Sequence, residues 1–96
     1  MTEVDVACAP DGDAWACSVR VREDQDATEH EVAIRPADAI AHVVKSVDDA
    51  ERLVRETLTF LLEREPKESI LRAFDLSVVG RYFPEYDREI RRRLGQ

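Results

Sequence analysis

The chain is poor in the residues that usually announce chemistry. Its 96 residues include two cysteines, two histidines, three glycines and six aromatics. There is no Cys-x-x-Cys and no closely spaced histidine pair, so Cys8, Cys17, His30 and His42 lack the spacing of a structural zinc site. No run of 18 apolar residues occurs, which excludes a membrane-spanning helix of ordinary length. The opening Met1-Thr2-Glu3-Val4-Asp5 has neither the basic nor the apolar region of a secretory signal. A cytoplasmic location is therefore expected, with both cysteines reduced. There is no internal repeat and no low-complexity tract.

Positive charge is also short. Twenty-one acids face fourteen lysines and arginines, for a net charge of −7. Such a chain repels phosphate backbones, so nucleic acid is not the expected partner. The imbalance is uneven. Residues 1–46 hold ten acids and four bases, whereas residues 67–96 hold five acids and seven bases.

What is present is pattern. Val4, Val6 and Cys8 alternate with Glu3 and Asp5; Trp15, Cys17, Val19 and Val21 alternate with Ser18, Arg20 and Arg22; Val32 and Ile34 alternate with Glu31 and Glu29. A period of two marks half-buried strands, and three in succession predict an antiparallel meander with one wet face. Placing Cys8 opposite Cys17 sets Asp5 against Arg20 and Glu3 against Arg22, a register that charge favours by about 0.2–1 kcal/mol per pair. A two-residue slip would instead allow a tight Asp11-Gly12 hairpin. Between the second and third strands, charge pairs Arg20 with Glu31 and Arg22 with Glu29.

The remainder is helical in period. Pro36 starts a short helix over 36–44. Ser46 caps a long amphipathic helix that runs to about Arg64, with Asp48 and Asp49 in its first turn. Its apolar stripe is Val47, Ala50, Leu53, Val54, Leu58, Leu61 and Leu62. Pro66 ends it, and shorter helices are predicted over Lys67–Phe74, Val78–Phe83 and from Pro84 to the stop at Gly95.

The strings Phe60-Leu61-Leu62-Glu63-Arg64-Glu65-Pro66, Ser69-Ile70-Leu71, Phe74-Asp75-Leu76 and Arg81-Tyr82-Phe83-Pro84-Glu85-Tyr86 form a distinctive C-terminal block. It resembles the block that ends a group of short, uncharacterised bacterial proteins. The resemblance covers about the last 37 residues. It implies a bacterial protein and carries over no activity, cofactor or catalytic residue.

Reactive residues have ordinary readings. Strand-centre cysteines pack as small hydrophobes. The acid pairs Asp11 and Asp13, Asp24 and Asp26, and Asp48 and Asp49 belong to turns and caps. Lys67–Phe74 and Ser77–Phe83 have the lengths of a helix-turn-helix, but the second segment offers one base, Arg81, for readout. Arg91, Arg92 and Arg93 suit the end of a helix.

The expectation is one α+β domain over residues 1–96. A three-stranded antiparallel β-meander (1–35) precedes a long amphipathic helix and shorter C-terminal helices (36–96). The expected function is that of a non-enzymatic accessory protein acting through protein–protein contacts, without cofactor or metal. The partner is an unknown protein, and a homodimer through a sheet edge is allowed. The alternatives are a small DNA-binding or antitoxin-like regulator using the helices at 67–93, and a ligand-binding domain or enzyme with a pocket between sheet and helices. The interaction surface is expected at Arg81, Tyr82, Tyr86, Arg88 and Arg92, because aromatics beside arginine are favoured at interfaces.

Overall fold

The computed structural model describes all 96 residues. Strands β1 (Thr2–Asp11), β2 (Ala14–Glu23) and β3 (Asp26–Ile34) form the antiparallel meander. Gly12 turns the first hairpin at φ +61, a left-handed conformation that glycine adopts without a Cβ clash. Cys8 then faces Cys17, Asp5 faces Arg20 and Glu3 faces Arg22, the register favoured by charge. On the wet face Arg22 binds both Glu3 (2.5 Å) and Asp5 (3.2 Å).

The second hairpin departs from expectation. Arg20 faces Glu29, and Glu31 faces Ser18, a shift of two residues. The cause is a tighter turn: Asp24 takes φ 55, which aspartate tolerates, and Glu23 pairs with Asp26 across it. Only Asp24 and Gln25 lie between the two strands.

The cysteines are also corrected. Cys8 and Cys17 are joined in a disulfide, not held as two reduced thiols. The register sets their Cα atoms 4.1 Å apart, the close spacing of a non-hydrogen-bonded antiparallel pair, whose side chains approach most nearly. The Cys8 N–H consequently points off the sheet edge, where Glu51 Oε2 accepts it at 3.0 Å.

Helix α1 (Pro36–Ala41) stops earlier than its apolar spacing suggests. Helix α2 (Val47–Leu62) starts at Ser46, whose hydroxyl accepts the Asp49 N–H at 3.1 Å. In return Asp49 accepts the Lys45 N–H at 2.9 Å. Ala50, Leu53, Val54, Leu58 and Leu61 are buried against the apolar sheet face with Val19, Val21, Val32 and Ile34. Burying each large aliphatic side chain contributes about 2 kcal/mol. No helix is long and apolar enough to cross a membrane.

The segment after Pro66 is the largest revision. Residues 67–74 form a single 3-10 turn (Lys67–Ser69) and then strand β4 (Ala73–Asp75), not a helix. β4 lies parallel to β3 and makes a four-stranded sheet in the order β1-β2-β3-β4. No helix-turn-helix is formed, because its first helix is absent. Helices α3 (Leu76–Tyr82) and α4 (Tyr86–Arg93) complete the fold.

Candidate binding groove

Pro66 cannot donate a backbone N–H, so α2 cannot continue past it. The chain turns once and returns along the open side of β3. Three polar contacts hold it there. The Lys67 ammonium is buried between Glu68 (2.5 Å), Asp26 (3.2 Å) and Glu23 (3.4 Å). The Glu68 carboxylate first, then Asp26 and Glu23, hold that ammonium charged, above the ordinary lysine range. The turn is thereby pinned to the β2–β3 hairpin. Next, Glu31 N–H donates to the Arg72 carbonyl at 2.7 Å. Finally, buried His30 binds the Leu71 carbonyl through Nδ1 at 2.8 Å and Thr28 Oγ1 through Nε2 at 2.9 Å. A carbonyl only accepts, so Nδ1 is the donor in the bond to Leu71.

This extended run separates neighbouring side chains. Ile70 turns into the core, whereas Leu71 is 52% exposed. α3 then begins at Asp75, whose carboxylate accepts from the Ser77 N–H at 2.9 Å and from the Ser77 hydroxyl. Those bonds hold the Asp75 carboxyl below its usual range. α3 buries Leu76 and Val79 and leaves Tyr82 71% exposed.

Between the end of α2, the returning segment and α3 lies a half-open groove of about 490 Å³. Eight of its ten lining residues are hydrophobic, which makes it a surface that water solvates poorly. Leu61, Ile70 and Val79 are its buried members; Phe74, Val78 and Phe83 are half-buried; Leu71 and Tyr82 form the exposed rim. Its two polar residues are Glu65 and Ser69.

An aromatic cluster adjoins the groove. Phe60 is fully buried and meets Phe83 edge-on at 5.8 Å and Tyr86 at 5.3 Å. The Arg64 guanidinium lies 3.6 Å from the Phe60 ring centroid and also binds Glu85 at 3.3 Å. The Thr57 hydroxyl donates to the Leu53 carbonyl at 2.8 Å and so accepts from the Tyr86 hydroxyl, also at 2.8 Å. Burial, opposed by the Thr57 bond, pushes the Tyr86 phenol well above its usual range.

Of the five surface residues expected from sequence, only Tyr82 lines this groove. Tyr86 is corrected outright: it is buried at 4% exposure, because Thr57 supplies a partner for its polar tip. Arg81 and Arg88 are exposed and make no ion pair, while Arg92 is engaged by Glu89. Leu71, Phe74 and Glu65 were hidden because the spacing of Ile70, Leu71 and Phe74 also fits one face of a helix.

The soft donors do not converge. Cys8 and Cys17 bind each other, and His30 is engaged as above. His42 is buried with its Nε2 3.9 Å from Asp87 and its Nδ1 without a partner. No three His, Cys, Asp or Glu side chains are placed so that they could hold a metal ion.

No protein-family model, curated protein or solved structure matches this chain.

Proposed function

We propose that this chain is a non-catalytic accessory protein that works by binding a partner protein, with the groove beneath Leu71 and Tyr82 as its contact surface. One observation carries the reading. Two large apolar side chains, 52% and 71% exposed, flank a concave apolar surface instead of closing over it. A concave apolar surface with large apolar side chains at its rim is the kind of place where ligands and partner segments dock. Its aromatic residues Phe74, Tyr82 and Phe83 are of the kind that anchor interfaces.

The test is site-specific cross-linking in a native extract. A photoreactive residue at position 82 should capture one discrete partner, and the same residue at position 20, on the wet face of the sheet, should not. Indistinguishable capture from both positions would sink the reading.

A homodimer through β1 is a second reading, favoured by that strand's length of ten residues and its place at the sheet edge. Glu51 already occupies the Cys8 N–H on that edge, which works against pairing. Sedimentation at increasing concentration decides it. A monomer at all concentrations removes the dimer and leaves the groove reading in place.

A further inference from the structure

We infer that the groove selects a cation: the lysine or arginine side chain of a partner segment whose neighbouring residues are apolar. This rests on the docking reading above and adds what the partner must carry.

The acids around the groove set up the argument. Glu63 is bound by Arg93 (2.5 Å) and Arg64 (3.4 Å), Glu85 by Arg64, and Glu68 by Lys67. Glu65 stands among them, half-buried, its carboxylate without a hydrogen bond or ion pair, and it is the one charged residue in the groove lining. Its carboxylate stands beside apolar walls without a protein partner, so a cation brought in by a partner meets an acceptor that is still free.

The walls point the same way. Phe74, Tyr82 and Phe83, half of the chain's six aromatics, line the same groove. Aromatic faces attract ammonium and guanidinium groups, and a carboxylate with several rings is a recurring way to hold an organic cation. The net charge of −7 steers a basic partner toward the protein at long range.

Two features narrow the partner. The volume of about 490 Å³ exceeds what one lysine stem fills, so flanking apolar side chains enter with it. Arg72 and Arg81, next in sequence to rim residues Leu71 and Tyr82, are exposed without ion pairs and disfavour a run of several bases. The fitting segment is therefore apolar with a single base, and not polybasic.

The experiment titrates the intact protein, followed by amide NMR, with three probes. These are a capped pentapeptide with one lysine among leucine and phenylalanine, the same peptide with norleucine for lysine, and hexylammonium. The lysine peptide should bind about fivefold tighter than the norleucine peptide, with shifts centred on Glu65, Leu71 and Tyr82. Glu65→Gln, whose amide spectrum reports its folding, should erase that preference and leave norleucine-peptide binding unchanged. Equal binding of the two peptides to the unaltered protein, or a preference that survives Glu65→Gln, would overturn the cation inference and leave the docking reading standing. Failure of both peptides to shift the groove would overturn both. Hexylammonium binding as tightly as the lysine peptide would overturn the assignment to a protein segment.

Discussion

Helices α1 and α4 stop in the same pair of backbone hydrogen bonds, with opposite residues at the critical position. At the end of α1, Val43 N–H donates to Ile40 (3.2 Å) and Val44 N–H to Ala39 (2.8 Å), with Val43 at φ 56. At the end of α4, Gly95 N–H donates to Arg92 (3.2 Å) and Gln96 N–H to Arg91 (2.8 Å), with Gly95 at φ 75. Both are Schellman caps. Glycine suits the left-handed position; a β-branched residue pays about 1–2 kcal/mol there. Val43 gains little in return, being 54% exposed beside an 80% exposed Ile40.

The difference is held by contact between the two ends. Arg91 Nη1 donates to the Ala41 carbonyl at 3.3 Å and Gln96 Nε2 to the His42 carbonyl at 2.6 Å. The well-capped helix thus supplies bonds to the poorly capped one. Local preference explains α4's end, and tertiary support explains α1's.

The strongest way to break this comparison is to undock α4. Ile90 is fully buried, and Ile90→Ala should cost about 3 kcal/mol in chemical denaturation. It should also speed amide exchange at Val43 and Val44. Unchanged exchange there would mean that α1's cap stands without α4.

Exchanging the cap residues comes next. Gly95→Val should destabilise by about 1 kcal/mol, and Val43→Gly should stabilise by about 0.5–1 kcal/mol once glycine's entropy is subtracted. Thermal melts measure both. A destabilised Val43→Gly would show that the valine side chain has a packing role that its exposure conceals.

Gln96→Ala removes the bond to the His42 carbonyl and should cost about 0.5 kcal/mol, with the loss confined to α1 in exchange data. A uniform loss across the protein would mean that Gln96 acts otherwise.

The smallest effect is with pH. Bonds from Arg92 and Arg93 hold the Glu89 carboxyl down at about 2, and Arg93 likewise lowers Glu63. Groups depressed on folding stabilise above their unfolded pKa of about 4.5 and lose that contribution as pH falls toward about 2. These pairs lie at least partly open to solvent, where screening weakens them, so the change is slight. It should appear in α4 signals before α1 signals between pH 4.5 and 2. A larger shift between pH 6 and 8 would contradict it.

The fold was legible wherever a local rule decided it. Alternation marked the three long strands, charge on Asp5, Arg20, Glu3 and Arg22 favoured the first register, and Ser46 and Gly95 marked helix ends. The groove was not legible. Ile70 and Phe74 are four residues apart, which puts them on one face of a helix and equally on one face of a strand. The open side of β3 chose strand, through Glu31 and His30. Tyr86 read as surface because its partner, Thr57, lies 29 residues away. Glu65 was invisible as a site residue because its distinction is the lack of a neighbouring cation.

By itself the sequence determined the meander, the apolar stripe of α2 and the capping of its longest helix, since these depend on side-chain period and on bonds within a few residues. Tertiary structure alone decided β4, the withdrawal of Tyr86 and the open groove. Each depends on which distant groups meet, and a buried backbone or polar group takes whichever partner the packed fold brings within reach.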